Sequence, residues 1–397
     1  MNQINRSAIS VGAFVIGSAA ALGCATGDND KAPASDLTHR AYIVSRESDD
    51  LTAIDLDTLE VVGRVHTLGL QNHMAELNAT FSKLYVDSEG TDESIVVDAV
   101  AMKVVKRIPT GSGPTHVSLS RDGKLLAVMN EYSDQVSFID PEADVEIKRL
   151  DGFYTPHFMR FPASGPYSYV ANIGAHHITR VDLGTLEIAD HIALDGFEGP
   201  PNATMAPGET GFADVQIDPD GMLYAAHNLQ ARVLVYDTAK QVKMPEVEVG
   251  PNPWIAYAEV PFTALPRRQV VPAFGDSTVS LLRGELPVMS LAAGDMQAFG
   301  VNYSPLTPNK AFVMNRVHND IKVVDTAEGT VVATIPTGGT TETASTTADG
   351  KWIVATVSSS NQVIVIDAMT NEIIKTFDNV GKYPWSVTIP GGQNYCH

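Results

Sequence analysis

GPTHVSLSRDGKLLAVMNEYSDQVSFID, residues 113–140, carries three strand signals in succession. HVSLS starts at His116 and stops at the turn pair Asp122-Gly123, LLAVMN follows, and QVSFID comes after the polar break 131–134. Short apolar runs rich in Val, Ile and Leu, with turn residues between them, read as antiparallel strand–turn–strand. The rest of the chain largely repeats this unit.

An apolar pair followed by Asp, near the end of the third strand, measures the repeat. It falls at Asp55, Asp98, Asp140, Asp182, Asp237, Asp325 and Asp367, mostly 42 or 43 residues apart. The 88 residues from Asp237 to Asp325 hold two units, with Arg283 in the missing slot, and the 55 residues from Asp182 to Asp237 hold one unit with an insertion. An Asp side chain there bonds the backbone of the next turn, so these aspartates read as structural. Four short strands at this period predict an all-β propeller of eight four-stranded antiparallel blades, with seven as the alternative count. The ends complement each other. AYIVSRESDDLTAIDLDT (41–58) starts at a second strand, and YPWSVTIP (383–390) is a first strand with nothing after it. Pairing 384–390 with the N-terminal strands closes the ring and removes its edges.

SYVANIGAHHITRVDLGTLEIADHIAL (168–194) and WIVATVSSSNQVIVIDAMTNEIIKTF (352–377) resemble the repeat of YVTN-type bacterial propellers, and the likeness runs through nearly all of 40–390. The wider group includes binding lipoproteins, lactonases, amine-dehydrogenase heavy subunits and the haem domain of dissimilatory nitrite reductase. The resemblance thus implies the fold and leaves function to the loops at the channel mouth.

Residues 1–24 place one Arg before a short run of apolar and small residues, the pattern of an export signal. ALGC resembles a lipobox with Cys24 as the lipidated residue; ordinary signal cleavage after Ala25 is the competing reading. The expectation is a periplasmic or outer-membrane lipoprotein, or else a soluble secreted protein. Residues 25–39 read as a flexible tether, 40–390 as the propeller and 391–397 as a tail. The formal charge of −20 disfavours nucleic acid and anionic membrane surfaces, leaving the lipid as the expected membrane contact. The chain is expected to be a monomer. Its two cysteines build no disulfide framework, and the Cys396-His397 ending lacks the second Cys of a covalent haem motif. Phosphate-loop, H-E-x-x-H and G-x-S-x-G patterns are absent. Two insertions, 195–210 and 258–269, interrupt the repeat; the first lies on the face of the second-to-third strand turns, and the second carries Arg267 and Arg268.

The first residues of the inner strands form a ring at one channel mouth. Aligned on the following turn they are His73, His116, His157, Asp214, Trp254, Gln297, Thr343 beside Glu342, and Trp385. Three successive blades supply His. Nearby turns add Asn130 with Glu131, His176 with His177, His227 with Asn228, and Asn315 with His318. Imidazoles on one rim suit Cu, Zn or Fe, so His73, His116, His157 and His177 are the candidate metal ligands, with Glu131 completing or orienting the set. Such a site fills at neutral pH and empties near pH 6 or below. Trp254, Trp385, Asp214 and His227 are candidates for holding a cofactor. Plain polar lining of a wet channel is the competing account.

Three functions follow. The first is a tethered binding module for a small ligand, metal or protein at the mouth. The second, implied by the nitrite-reductase likeness, is a redox or assembly protein with a non-covalently held haem. The third, a lactonase-like metal hydrolase, fits least, because that family favours Glu, Asn and Asp at the mouth.

Overall fold

The computed structural model describes residues 37–198, 205, 208–258, 269–276, 278–283, 286–292 and 298–394. The expected export signal with Cys24, most of the expected tether, Arg267, Arg268, Gln297, Cys396 and His397 lie outside these residues. Leu37–His39 forms a single 3-10 turn, so regular structure starts inside the expected tether.

The described strands form eight antiparallel sheets, one for each repeat unit. Blades two, three and four span 72–109, 114–151 and 156–193; blades five to eight span 216–248, 257–292, 298–336 and 341–378. Blade one takes Arg40–Ser45, Asp50–Asp55 and Glu60–His66 from the start of the chain and Pro384–Thr388 from its end. Tyr42 pairs with Thr388 and Ile43 with Val387, the closure expected from the unfinished ends. The tail turns back beyond the closing strand. Gln393–Asn394 pairs with Thr341–Thr346 of blade eight, and the Asn394 amide bonds Ile389 N and O at 2.9 and 3.0 Å.

All seven ruler aspartates do the same work. Each Oδ1 accepts the backbone N–H groups two and three residues on, as in Asp55 to Asp57 and Thr58 (3.0 and 2.9 Å) and Asp367 to Met369 and Thr370 (2.8 and 2.9 Å). Asp98, Asp140, Asp182, Asp237 and Asp325 repeat the pattern. The hairpin glycines Gly123, Gly221 and Gly350 have φ of +70°, +86° and +75°, which a Cβ would strain.

Middle strands are buried on both faces because each blade is sandwiched between two others. That is why they read as continuous apolar runs. Tyr42, Val44, Leu51 and Ala53 of blade one meet Ala75, Leu84, Val86 and Ile95 of blade two in one such layer. Outer strands alternate, with Val145–Asp151 reading exposed, half-buried, exposed along its length.

The inner strand of each blade except the eighth is a sheet edge, and the channel-side carbonyls need donors. Channel-side side chains of the preceding blade supply them. Thr388 Oγ1 donates to Ala75 O (2.7 Å), Ser345 Oγ to Val387 O (2.7 Å), Asn302 Nδ2 to Ala344 O (3.1 Å) and Arg160 Nε to Val215 O (3.1 Å). One tier higher, Thr343 Oγ1 donates to Trp385 O (2.9 Å). These bonds clasp each blade to the next around the channel.

Candidate metal centre at the channel mouth

Two of the ring histidines are members of this upper tier of clasps. His73 Nδ1 lies 2.7 Å from Thr115 O, and His157 Nδ1 lies 2.7 Å from Ala213 O. A carbonyl only accepts, so both Nδ1 atoms carry the proton. Each neutral ring then presents a lone pair at Nε2. His116 reaches the same state by another route. Thr115 Oγ1 donates to Glu131 Oε1, and His116 Nδ1 donates to Thr115 Oγ1 at 2.9 Å. His116 Nε2 is buried without a hydrogen-bond partner.

His116, Glu131 and His157 converge. One ligand atom from each lies within 4.8 Å of the other two. Glu131 Oε1 is 3.4 Å from His116 Nδ1 and 3.8 Å from His157 Nε2, and the two rings are 3.9 Å apart at their centroids. Bonds of about 2.0–2.1 Å to a tetrahedral ion place its ligand atoms roughly 3.3 Å apart, and Glu131 Oε1 and His157 Nε2, at 3.8 Å, stand near that spacing. His73 packs edge-on to His116 at 5.0 Å and flanks the cluster.

The charge states suit a cation. Burial, then the neighbouring His116, pushes His157 down to about 4, and burial holds His73 well below the ordinary imidazole value. Both rings are therefore neutral at pH 7. Burial is the largest influence on Glu131 and pushes it up, but the His116 bond, the two histidines and Thr115 outweigh it. The carboxyl ends below its usual value and is ionised. Burial thus works against protonation of His157 near pH 6, where free imidazoles let a metal go.

Above the cluster is a cavity of about 350 Å³. Glu131 and His157 form part of its floor, and Trp254, Phe299 and Trp385 its aromatic walls. The tryptophans end an arc across the mouth: Trp385 lies 5.2 Å from His73, and Trp254 lies 6.2 Å from His157. Arg46 and Arg316 also line it. Arg46 stands 5.2 Å over the Trp385 ring, and Arg316 stands 4.1 Å over Phe299 and 5.7 Å over Trp385. Arg46 pairs with Glu89, which also accepts from the Tyr132 hydroxyl. Arg316 pairs with Glu342, which also accepts from Ser358 Oγ (3.0 Å) and the Tyr383 hydroxyl (3.1 Å).

The other candidates lie elsewhere. His177 faces His191 (4.3 Å) and Tyr154 (5.4 Å), away from the triad. His227 pairs with His176, Nε2 to Nδ1 at 2.9 Å, and Phe197 of the first insertion stacks on His176 at 3.9 Å. Asp214 is buried in the channel wall. It accepts from Val215 N (2.6 Å), Gln216 Nε2 (2.5 Å) and Arg160 Nη2 (3.3 Å), which leaves it little capacity for a ligand.

Arg46, Glu89 and Arg316 were not among the sequence candidates. They share a slot with Glu131: the first residue after each blade's second strand, which reads Arg46, Glu89, Glu131, Ile173, Asn228, Phe274, Arg316 and Ser358. The same repeat that gives the inner-strand ring gives this second ring.

The fold and site define a propeller with histidine, carboxylate and aromatic side chains around one channel mouth. Residues 66–192 match the family model of YNCE-like beta-propellers, which places the YVTN-type resemblance on blades two to four. No curated protein sequence matches the chain. Among solved structures, a dihydro-heme d1 dehydrogenase, NirN, in complex with DHE is similar at 14% identity and a TM-score of 0.75, over 90% of this chain and 76% of that one. Apo AztD from Citrobacter koseri is similar at 12% identity and a TM-score of 0.62, over 90% and 98%. The hydrazine synthase of Kuenenia stuttgartiensis follows at 20% and 0.52, over 74% and 94%. At these identities the likeness is one of fold.

Proposed function

We propose that this protein is an exported, lipid-anchored propeller that binds one transition metal ion at His116, Glu131 and His157. The observation that carries the reading is the set of ring protons. The Ala213 carbonyl and the Thr115 hydroxyl hold the Nδ1 protons of His157 and His116, so their Nε2 lone pairs are fixed before any metal arrives. Metal-bound histidines have this kind of outer support. Two imidazoles and a carboxylate suit Zn, Cu or Fe. The acidic chain raises the local cation concentration without selecting among them. Metal content after dialysis tests the site: about one ion per chain is expected, lost in Glu131→Gln and His157→Ala. A parent protein that retains no metal ends this reading. The anchor is tested separately, since Cys24→Ala should move the protein from the membrane to the soluble fraction.

A second reading, a non-covalent haem-type cofactor, is favoured by the two tryptophans bracketing the histidine arc and by the similarity to the dihydro-heme d1 dehydrogenase. A Soret band in the purified protein would support it, and a colourless protein that stays colourless with added haem would oppose it.

A further inference from the structure

We infer that the cavity over the metal takes a small planar monocarboxylate, whose acid group lies between the arginines and the ion; this rests on the metal reading above. Three protein ligands leave a position open on a four-coordinate ion, the arrangement of exchangeable rather than purely structural sites. Glu131 and His157 border the cavity, so that position adjoins it.

The cavity wall is set up for an anion. Glu89 and Glu342 are 6% and 2% exposed, and each is braced by hydroxyl groups while it fixes one arginine at the cavity edge. A guanidinium has five N–H donors, and one carboxylate does not use them all. With a divalent ion bound, Arg46, Arg316, Glu89, Glu131 and Glu342 leave one net positive charge. A monoanion balances it. One side of the wall is flat and aromatic, because Trp254 stacks on Phe299 at 5.7 Å. The volume of about 350 Å³ lies at the small end of ligand pockets and suits a single ring.

Benzoate is the probe, with acetate and benzyl alcohol as partial mimics. Each is titrated into the full chain, once loaded with Co²⁺ and once stripped with chelator. The cobalt bands report on the ion, and tryptophan fluorescence reports on the cavity, since two of the three tryptophans line it. Benzoate should shift the cobalt bands and bind at least about tenfold more tightly than either mimic, and more weakly to the stripped protein. Arg46→Gln and Arg316→Gln should each weaken benzoate by about tenfold or more, with Arg316→Lys between them and the parent. Benzoate no tighter than benzyl alcohol, or equally tight in arginine variants that melt like the parent, overturns the inference. If the protein takes up no Co²⁺, the metal reading fails by itself. The carboxylate pocket then stands or falls on whether metal-free protein binds benzoate in an arginine-dependent way.

Discussion

The molecule contains two groups of histidines on the same face, similar in composition and opposite in what their nitrogens do. At the mouth, His73, His116 and His157 give their Nδ1 protons to carbonyls and a hydroxyl, while His116 Nε2 is buried without a partner and His157 Nε2 stands 3.8 Å from Glu131. Over blades four and five, His176 and His227 spend ring nitrogens on each other. His227 Nδ1 also accepts from Gln230 N at 3.2 Å, and no carboxylate closes a ligand set there among the described residues. A metal centre is therefore marked by which nitrogen remains free and by what faces it, more than by a local excess of histidine.

The sharpest test of the contrast is metal affinity. Glu131→Gln, His116→Ala and His157→Ala should each weaken binding by more than about 100-fold, while His176→Ala and His227→Ala should leave it within about threefold. Equal losses in both groups would erase the distinction. Thr115→Val comes next. It removes the hydroxyl that joins His116 to Glu131 without removing a ligand, so affinity should fall by about 10–100-fold. Parent-like affinity would mean that this outer support is idle.

The second group should matter for stability instead. His227 is fully buried and bonded at both ring nitrogens, so His227→Ala should destabilise the metal-free protein by about 1–3 kcal/mol in denaturant unfolding. A loss below about 0.5 kcal/mol would count against a packing role. The smallest effect is in pH. Burial holds His177 near 4 and His227 near 3, whereas imidazoles of the unfolded chain titrate near 6.5. Between these values the unfolded chain binds more protons, so stability falls as pH falls from about 6.5 toward 4. His177→Asn should flatten that slope by roughly one proton in metal-free protein. An unchanged slope would place the acid sensitivity elsewhere.

The repeat was legible because it depends on local chemistry. Each ruler aspartate ties its own turn, so a short window of sequence carries the signal. The inner-strand ring was legible for the same reason, since period and turn position locate its slot. What the ring could not give was convergence. Glu131, on a turn, completes the cluster with His116 and His157, whereas His73 flanks it and His177 faces an outer strand. Side-chain direction across three blades decides this, and spacing along the chain does not record it. The arginines were hidden for a different cause: their slot holds Arg and Glu in two blades each and Ile, Asn, Phe and Ser in the others, so no single residue type marks it. The clasping role of His73 and His157 was likewise invisible, because their acceptors are backbone carbonyls of the neighbouring blade.

The closing strand sets the order in which the protein can finish folding. Seven blades draw four neighbouring strands from one continuous stretch and can gather them as the chain emerges. Blade one cannot, because Tyr42 must wait for Thr388. Until then Arg40–Ser45 is an open edge, and Ala75 O lacks the Thr388 hydroxyl that clasps blade one to blade two. Pairings between distant parts of a chain are also the slow ones to form. The ring is thus locked only once Pro384–Thr388 has been made, and until then the first three strands wait beside an open edge.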